Sequence, residues 1–129
     1  MARCKVLAFL LCEKASADSN GKVTLHGLFD RIIVPRTPAK PKLFFVFYKV
    51  VVEEPCTVSL RVTDSAGLDF LGNWRDSLSQ IGPMQAIWAL TTSLFKQPGP
   101  YVLELRQEAE DAEPVALATM RFVVKQQGE

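Results

Sequence analysis

The chain has 129 residues, 48% of them hydrophobic, with 15 basic and 14 acidic side chains and a formal net charge of +1. That length suits one domain, spanning 1–129, able to bury roughly two thirds of its unfolded surface. The balanced charge lacks any basic block, which argues against nucleic-acid binding driven by phosphate neutralisation, and no apolar run approaches the ~20 residues of a membrane-spanning helix.

Val6 to Cys12 is apolar at every position, the pattern of a strand covered on both faces. Asp18, Ser19, Asn20 and Gly21 then form a polar turn, with Asn-Gly supplying the positive backbone angles of a tight reversal. Val23 and Leu25 alternate with Thr24 and His26, and Gly27 marks an expected bulge before the apolar run of Leu28, Phe29, Ile32 and Ile33. The run LLCEKASADSNGKVTLHGLFDRI and the later PGPYVLEL resemble an uncharacterised family of bacterial proteins, defined as a domain of unknown function. The resemblance extends over the whole chain. Its signature residues are structural, namely the leading apolar strand, Asn-Gly and Gly-Leu-Phe-Asp-Arg, so it implies a fold and assigns no catalytic or binding residue.

Arg3 and Lys5 ahead of the apolar run, with Ala15-Ser16-Ala17 behind it, imitate a signal peptide. Glu13 and Lys14 interrupt the imitation, and Leu11 before Cys12 is too large for a lipoprotein site. We read an uncleaved strand and a cytoplasmic domain; the alternative is export, if this strand is a signal peptide. Cys4, Cys12 and Cys56 show no metal-ligand spacing and are expected as small buried thiols in a reducing compartment. A bridge from Cys56 to either of the others is expected only after export.

Pro35, Pro38 and Pro41 define an extended connection suited to carrying the chain between two sheets. In the next strand, Leu43 to Val52, Phe44, Val46, Tyr48, Val50 and Val52 form one apolar face while Phe45 and Phe47 make the other apolar too. A sandwich covers one face of each strand, so Phe45 and Phe47 must lie under a loop or against a protein partner or second copy.

Val58, Leu60 and Val62 alternate with polar residues, Asp64 to Gly67 reads as a turn, and Leu68 to Leu71 as a short strand. Gly72 to Pro83 follows neither periodicity and reads as an irregular loop, which makes Asn73, Trp74, Arg75 and Asp76 candidate site residues. Met84 to Phe95 forms a long strand with Trp88 in the core. Pro98-Gly99-Pro100 turns the chain, Tyr101, Leu103 and Leu105 point inward, and the tyrosine hydroxyl requires a backbone partner. Glu108 to Pro114 is an acidic turn. Val115 to Lys125 is a closing strand, with Ala116, Ala118, Met120, Phe122 and Val124 on one face.

Catalytic signatures are lacking. His26 is the only histidine, and neither a nucleophile elbow nor a phosphate-cradling or dinucleotide motif occurs, so no cofactor is implied. Asp64, Asp69 and Asp76 are the one group of carboxylates that could hold calcium, provided their loops converge. The fold implied is all-β, an antiparallel two-sheet sandwich of seven or eight strands, immunoglobulin-like or C2-like. The function implied is a non-enzymatic protein-interaction or structural module without nucleic-acid or membrane partners. The alternative is a small-ligand or calcium-binding domain with its site in the 64–83 loops.

Overall fold

The computed structural model describes residues 2–35, 37, 42–64, 69–92 and 95–128, with 69–73 described by their backbone alone. Nine strands form among them: β1 (Cys4–Ala17), β2 (Val23–Leu28), β3 (Arg31–Val34), β4 (Leu43–Val52), β5 (Cys56–Thr63), β6 (Asp69–Leu78), β7 (Gly82–Thr91), β8 (Gly99–Gln107) and β9 (Val115–Gln126). They build two sheets in the orders β2-β1-β4-β7 and β3-β9-β8-β5-β6. The expected two-sheet sandwich is therefore present, with nine strands where the sequence suggested seven or eight. Pairing is antiparallel throughout except for β3, which lies parallel to β9.

The additional strands come from two misread segments. The apolar run after Gly27 is not a continuation of β2: the chain leaves the first sheet at Phe29–Asp30 and starts β3 on the second. Gly72 to Pro83 is no loop either. Its first part belongs to β6, an edge strand paired to β5 alone, and Gly82 already opens β7. An edge strand can present polar residues to solvent, which erases the hydrophobic alternation that marks an interior strand.

Register confirms the opening hairpin and relocates its irregularity. Pairing runs without a shift from Cys12↔Leu28 to Ala17↔Val23, so there is no bulge at Gly27. Gly27 instead takes φ +69° beneath the Glu13 side chain, 2.9 Å from where a Cβ would stand. The bulge lies in β1 between Val6 and Ala8, which leaves Leu7 exposed. In the turn, Asp18 Oδ1 accepts from the backbone N–H groups of Asn20 and Lys22 at 2.8 and 2.9 Å. The proline-rich connection does join the two sheets, from β3 to β4, although 36 and 38–41 are outside the described residues.

Between the sheets lies one core. Val46, Tyr48, Val50 and Val52 of β4 face Val58, Leu60 and Val62 of β5 and Tyr101, Leu103 and Leu105 of β8, all fully buried. Burying a valine or leucine side chain contributes about 1.5–3 kcal/mol, so this facing set dominates stability. Phe95, past the end of β7 rather than on its outer parity, joins Phe44, Tyr101 and Phe122 with ring centroids 4.9–5.6 Å apart. Tyr101 donates its hydroxyl to the Gln97 carbonyl at 2.7 Å, the backbone partner its burial requires. On β9 the register shifts opposite Leu105/Arg106; Ala116 is consequently exposed and Leu117 packs on the core instead.

Candidate functional site

All four residues expected in a loop stand on β6. Pairing of Asp76 with Val58 and of Leu78 with Cys56 fixes which way the strand faces. Val58 and Leu78 are buried, so Trp74, Asp76 and Leu78 point into the sandwich and Arg75 points out. Trp74 packs on the core, and its Nε1–H donates to the Ala89 carbonyl of β7 at 3.2 Å, joining the edge strands of the two sheets. Asp76 accepts a short hydrogen bond from the Tyr48 hydroxyl of β4, again across the sheets. Burial first, then the bonded Asp76 carboxylate, pushes the Tyr48 hydroxyl well above the ordinary tyrosine pKa. Arg75 reaches Glu108 at 3.0 Å in an exposed ion pair. Trp74 and Asp76 thus lace the edge of the sandwich. Asn73 lies on β6, its side chain outside the described residues.

The three candidate calcium carboxylates do not share a site. Asp64 is buried at the end of β5 and accepts from Gln97 Nε2 at 3.3 Å. Asp69 is paired to Thr63 at the same end of the β5–β6 hairpin, its side chain not described. Asp76 is seven residues further along β6, roughly 20 Å at strand rise, and is bonded to Tyr48.

Smaller contributions to the upward push on Tyr48 come from Cys4 and Cys56. Cys4, on the first sheet, belongs to the core cluster against which Cys56, on the second, is packed. The backbone holds them there: Arg3 O accepts from Glu53 N and Glu54 N at 2.9 and 3.0 Å, Arg3 Nη1 donates to Pro55 O at 3.3 Å, and Arg3 N donates to Gln107 Oε1 at 2.6 Å. Sequence spacing could not reveal this juxtaposition of residues from different sheets. Cys12 is buried elsewhere, opposite Phe45.

Phe45 and Phe47 lie on the outer face of the first sheet, as their parity required. Cross-strand rows read Leu28, Cys12, Phe45, Ala89 and then Leu10, Phe47, Ile87. Neighbouring side chains cover much of the two rings, leaving Phe47 7% exposed and Phe45 partly so. The apolar face continues at the surface in Leu28 and Leu43, 60% and 56% exposed. The outer face of the second sheet is more polar at its centre, carrying Arg61, Glu104, Arg106, Ser59 and Thr119 in its rows, with Ile33 and Val123 exposed toward its β3 edge. His26 pairs with Lys14 at the border of the apolar face, exposed.

Concavities open on the surface of the described residues, among them these two. One of about 390 Å³ is lined by Phe29, Ile32, Val34 and Phe44, with Arg31 and Lys42 among its polar groups. The other, a broad cleft of about 930 Å³, has Cys56 and Arg3 in its wall and is ringed by Glu54, Glu108, Glu110, Asp111 and Glu113.

Paired sheets, a continuous core and polar lacing at one edge define a β-sandwich domain. A model for a family described as of unknown function, DUF6941, matches residues 7–120; the chain belongs to that family. No curated protein matches. Among solved structures, the crystal structure of the C-terminal domain of wzt is similar, with a TM-score of 0.52 at 12% identity over 97% of this chain and 75% of that one. At that identity the likeness establishes a shared fold.

Proposed function

We propose that this domain is a non-enzymatic interaction module that pairs with a second copy of itself through the outer face of the β2-β1-β4-β7 sheet. The observation that carries this reading is the contrast between the two exterior faces. One is polar through its β8-β5 centre, with only Ile33 and Val123 exposed among its described large apolar residues, while the other sets Leu10, Phe45, Phe47 and Ile87 in contiguous rows beside the exposed Leu28 and Leu43. Four strands at their normal spacing and about ten residues of strand length give a face of roughly 19 by 33 Å. That area, about 630 Å², is roughly four fifths of the ~800 Å² per partner that a stable protein interface buries. Lys5 and Lys49 stand on the same face beside it, and Lys14 at its border, supplying the polar rim found around interface cores. Cys4, Cys12 and Cys56 are free thiols, in keeping with a cytoplasmic setting.

Light scattering on the reduced full-length chain across a concentration range tests the reading. The expected result is a dimer that Phe45→Asp or Leu28→Asp/Leu43→Asp converts to a folded monomer. A monomer at every concentration would refute self-association.

A further inference from the structure

The juxtaposition of Cys4 and Cys56, set by the pairing of Cys4 with Val52 and the bonds of Arg3 to Glu53, Glu54 and Pro55, with Cys56 packed against the core that holds Cys4, points to a dithiol site that low-molecular-weight disulfides bearing primary amines oxidise to an intramolecular bridge. We infer this from position, access and charge. Arg3 accepts two backbone hydrogen bonds from Glu53 and Glu54 and donates two, to the Pro55 carbonyl and Gln107 Oε1, so the start of β1 that carries Cys4 is pinned against the connection that leads into Cys56. Cys4 is buried, whereas Cys56 is half-buried and lines the broad cleft. A small oxidant therefore meets Cys56 first. Of the five carboxylates around that cleft, Glu54 is paired with Arg3 and Glu108 with Arg75, and the excess left by Glu110, Asp111 and Glu113 favours an oxidant carrying positive charge and repels an anionic one.

The chemistry balances as two exchanges. Cys56 gives its proton to water, and its sulfur attacks one sulfur of the small disulfide; the S–S bond breaks and the departing thiolate takes up a proton. Cys4 then loses its proton, and its sulfur attacks Cys56 Sγ, expelling the second small thiol. Two protein thiols are oxidised and one disulfide is reduced to two thiols. Burial, then the adjacent Cys56 and Glu53, hold the Cys4 thiol up at about 12, so the second exchange is the slower one and speeds up about tenfold per pH unit near neutrality. Closing the bridge ties the two sheets together across a loop of about fifty residues and should raise Tm on the order of 10 °C.

The test uses cystamine and the dianionic dithiodiglycolate on the folded full-length chain at low salt, read by intact mass, peptide mapping and thermal melting. Expected are a product lighter by two hydrogens, a peptide joining Cys4 to Cys56, the higher Tm, and a rate at least tenfold greater with cystamine that falls as salt is added. In Cys56→Ser the bridge and the Tm rise are both lost, and in Cys4→Ala the reaction stops as a mixed disulfide on Cys56. Cysteamine retained on Cys56 of the unmutated chain without bridging would overturn the inference, as would a bridge that includes Cys12. Equal rates with the two reagents would overturn the cleft as the route.

Discussion

Replacing Tyr48 by Phe removes one hydroxyl and leaves the ring packed against Trp88, whose centroid is 4.7 Å away. What is lost is a hydrogen bond to the Asp76 carboxylate, and bonds to charged groups contribute about 1.5–3 kcal/mol. Asp76 stands on an edge strand, so water can rehydrate it in part, which places the expected loss near 2 kcal/mol, about 5–10 °C in Tm for a domain of this size. Asp76→Val should cost more, because it strands the hydroxyl of a tyrosine with no exposed surface. The double variant should then be more stable than the two losses added together predict, by about 1–2 kcal/mol, since both polar partners have gone. Urea unfolding followed by tryptophan fluorescence measures all four proteins, the midpoint shifting at constant slope. Additivity within about 0.5 kcal/mol would refute the claim that this bond laces the sheets.

Both tyrosines, Tyr48 and Tyr101, have hydroxyls pushed up first by burial. The folded chain keeps its protons while the unfolded chain releases them near pH 10, so stability is intact below that pH and falls as pH rises beyond it. Tyrosinate absorbance should accordingly appear together with loss of the β-sheet circular dichroism signal; reversible titration near pH 10 with the sheet signal intact would contradict it. Arg75→Ala removes only the exposed pair with Glu108 and should change stability by less than about 0.5 kcal/mol, whereas Trp74→Ala, one residue away, should cost about 3 kcal/mol in the same urea assay. Gly27→Ala must adopt φ +69° and displace Glu13, an expected loss of about 1–2 kcal/mol, seen as a lower melting midpoint.

Interior strands were legible in the sequence because they obey a single constraint. β5 alternates cleanly from Val58 to Val62, and β4 carries its inner face without interruption from Phe44 to Val52, so both periods survive to be read. β6 was illegible for a physical reason. Its inward positions near the sheet edge are Trp74, Asp76 and Leu78, and two of those three satisfy both apolar surroundings and a polar contact, which looks like no period at all. β3 was missed because four residues in register with one neighbour, β9, leave too short a pattern to separate from β2. The outer face of the first sheet was half legible: parity exposed Phe45 and Phe47, but Leu28 and Leu43 join them only through cross-strand register.

These two surprises carry different weight for function. The polar residues on β6 are explained by the fold: where the edges of two sheets meet solvent, side chains with apolar bodies and polar tips close the gap, and Trp74 and the Tyr48–Asp76 pair do that by bonding across it. The fold offers no such account of Leu28 and Leu43. The rows of Arg61, Glu104, Arg106 and Ser59 show that the centre of an outer face stands polar in this sandwich, Ile33 and Val123 being exposed only toward the β3 edge, and an exposed leucine contributes little to folding because its surface stays in water. Apolar residues in excess of what the core requires therefore point outward, to something that removes them from water. It follows that Leu28→Asp/Leu43→Asp should leave the unfolding midpoint of the monomer nearly unchanged while abolishing self-association, a separation of stability from assembly that no core substitution could produce.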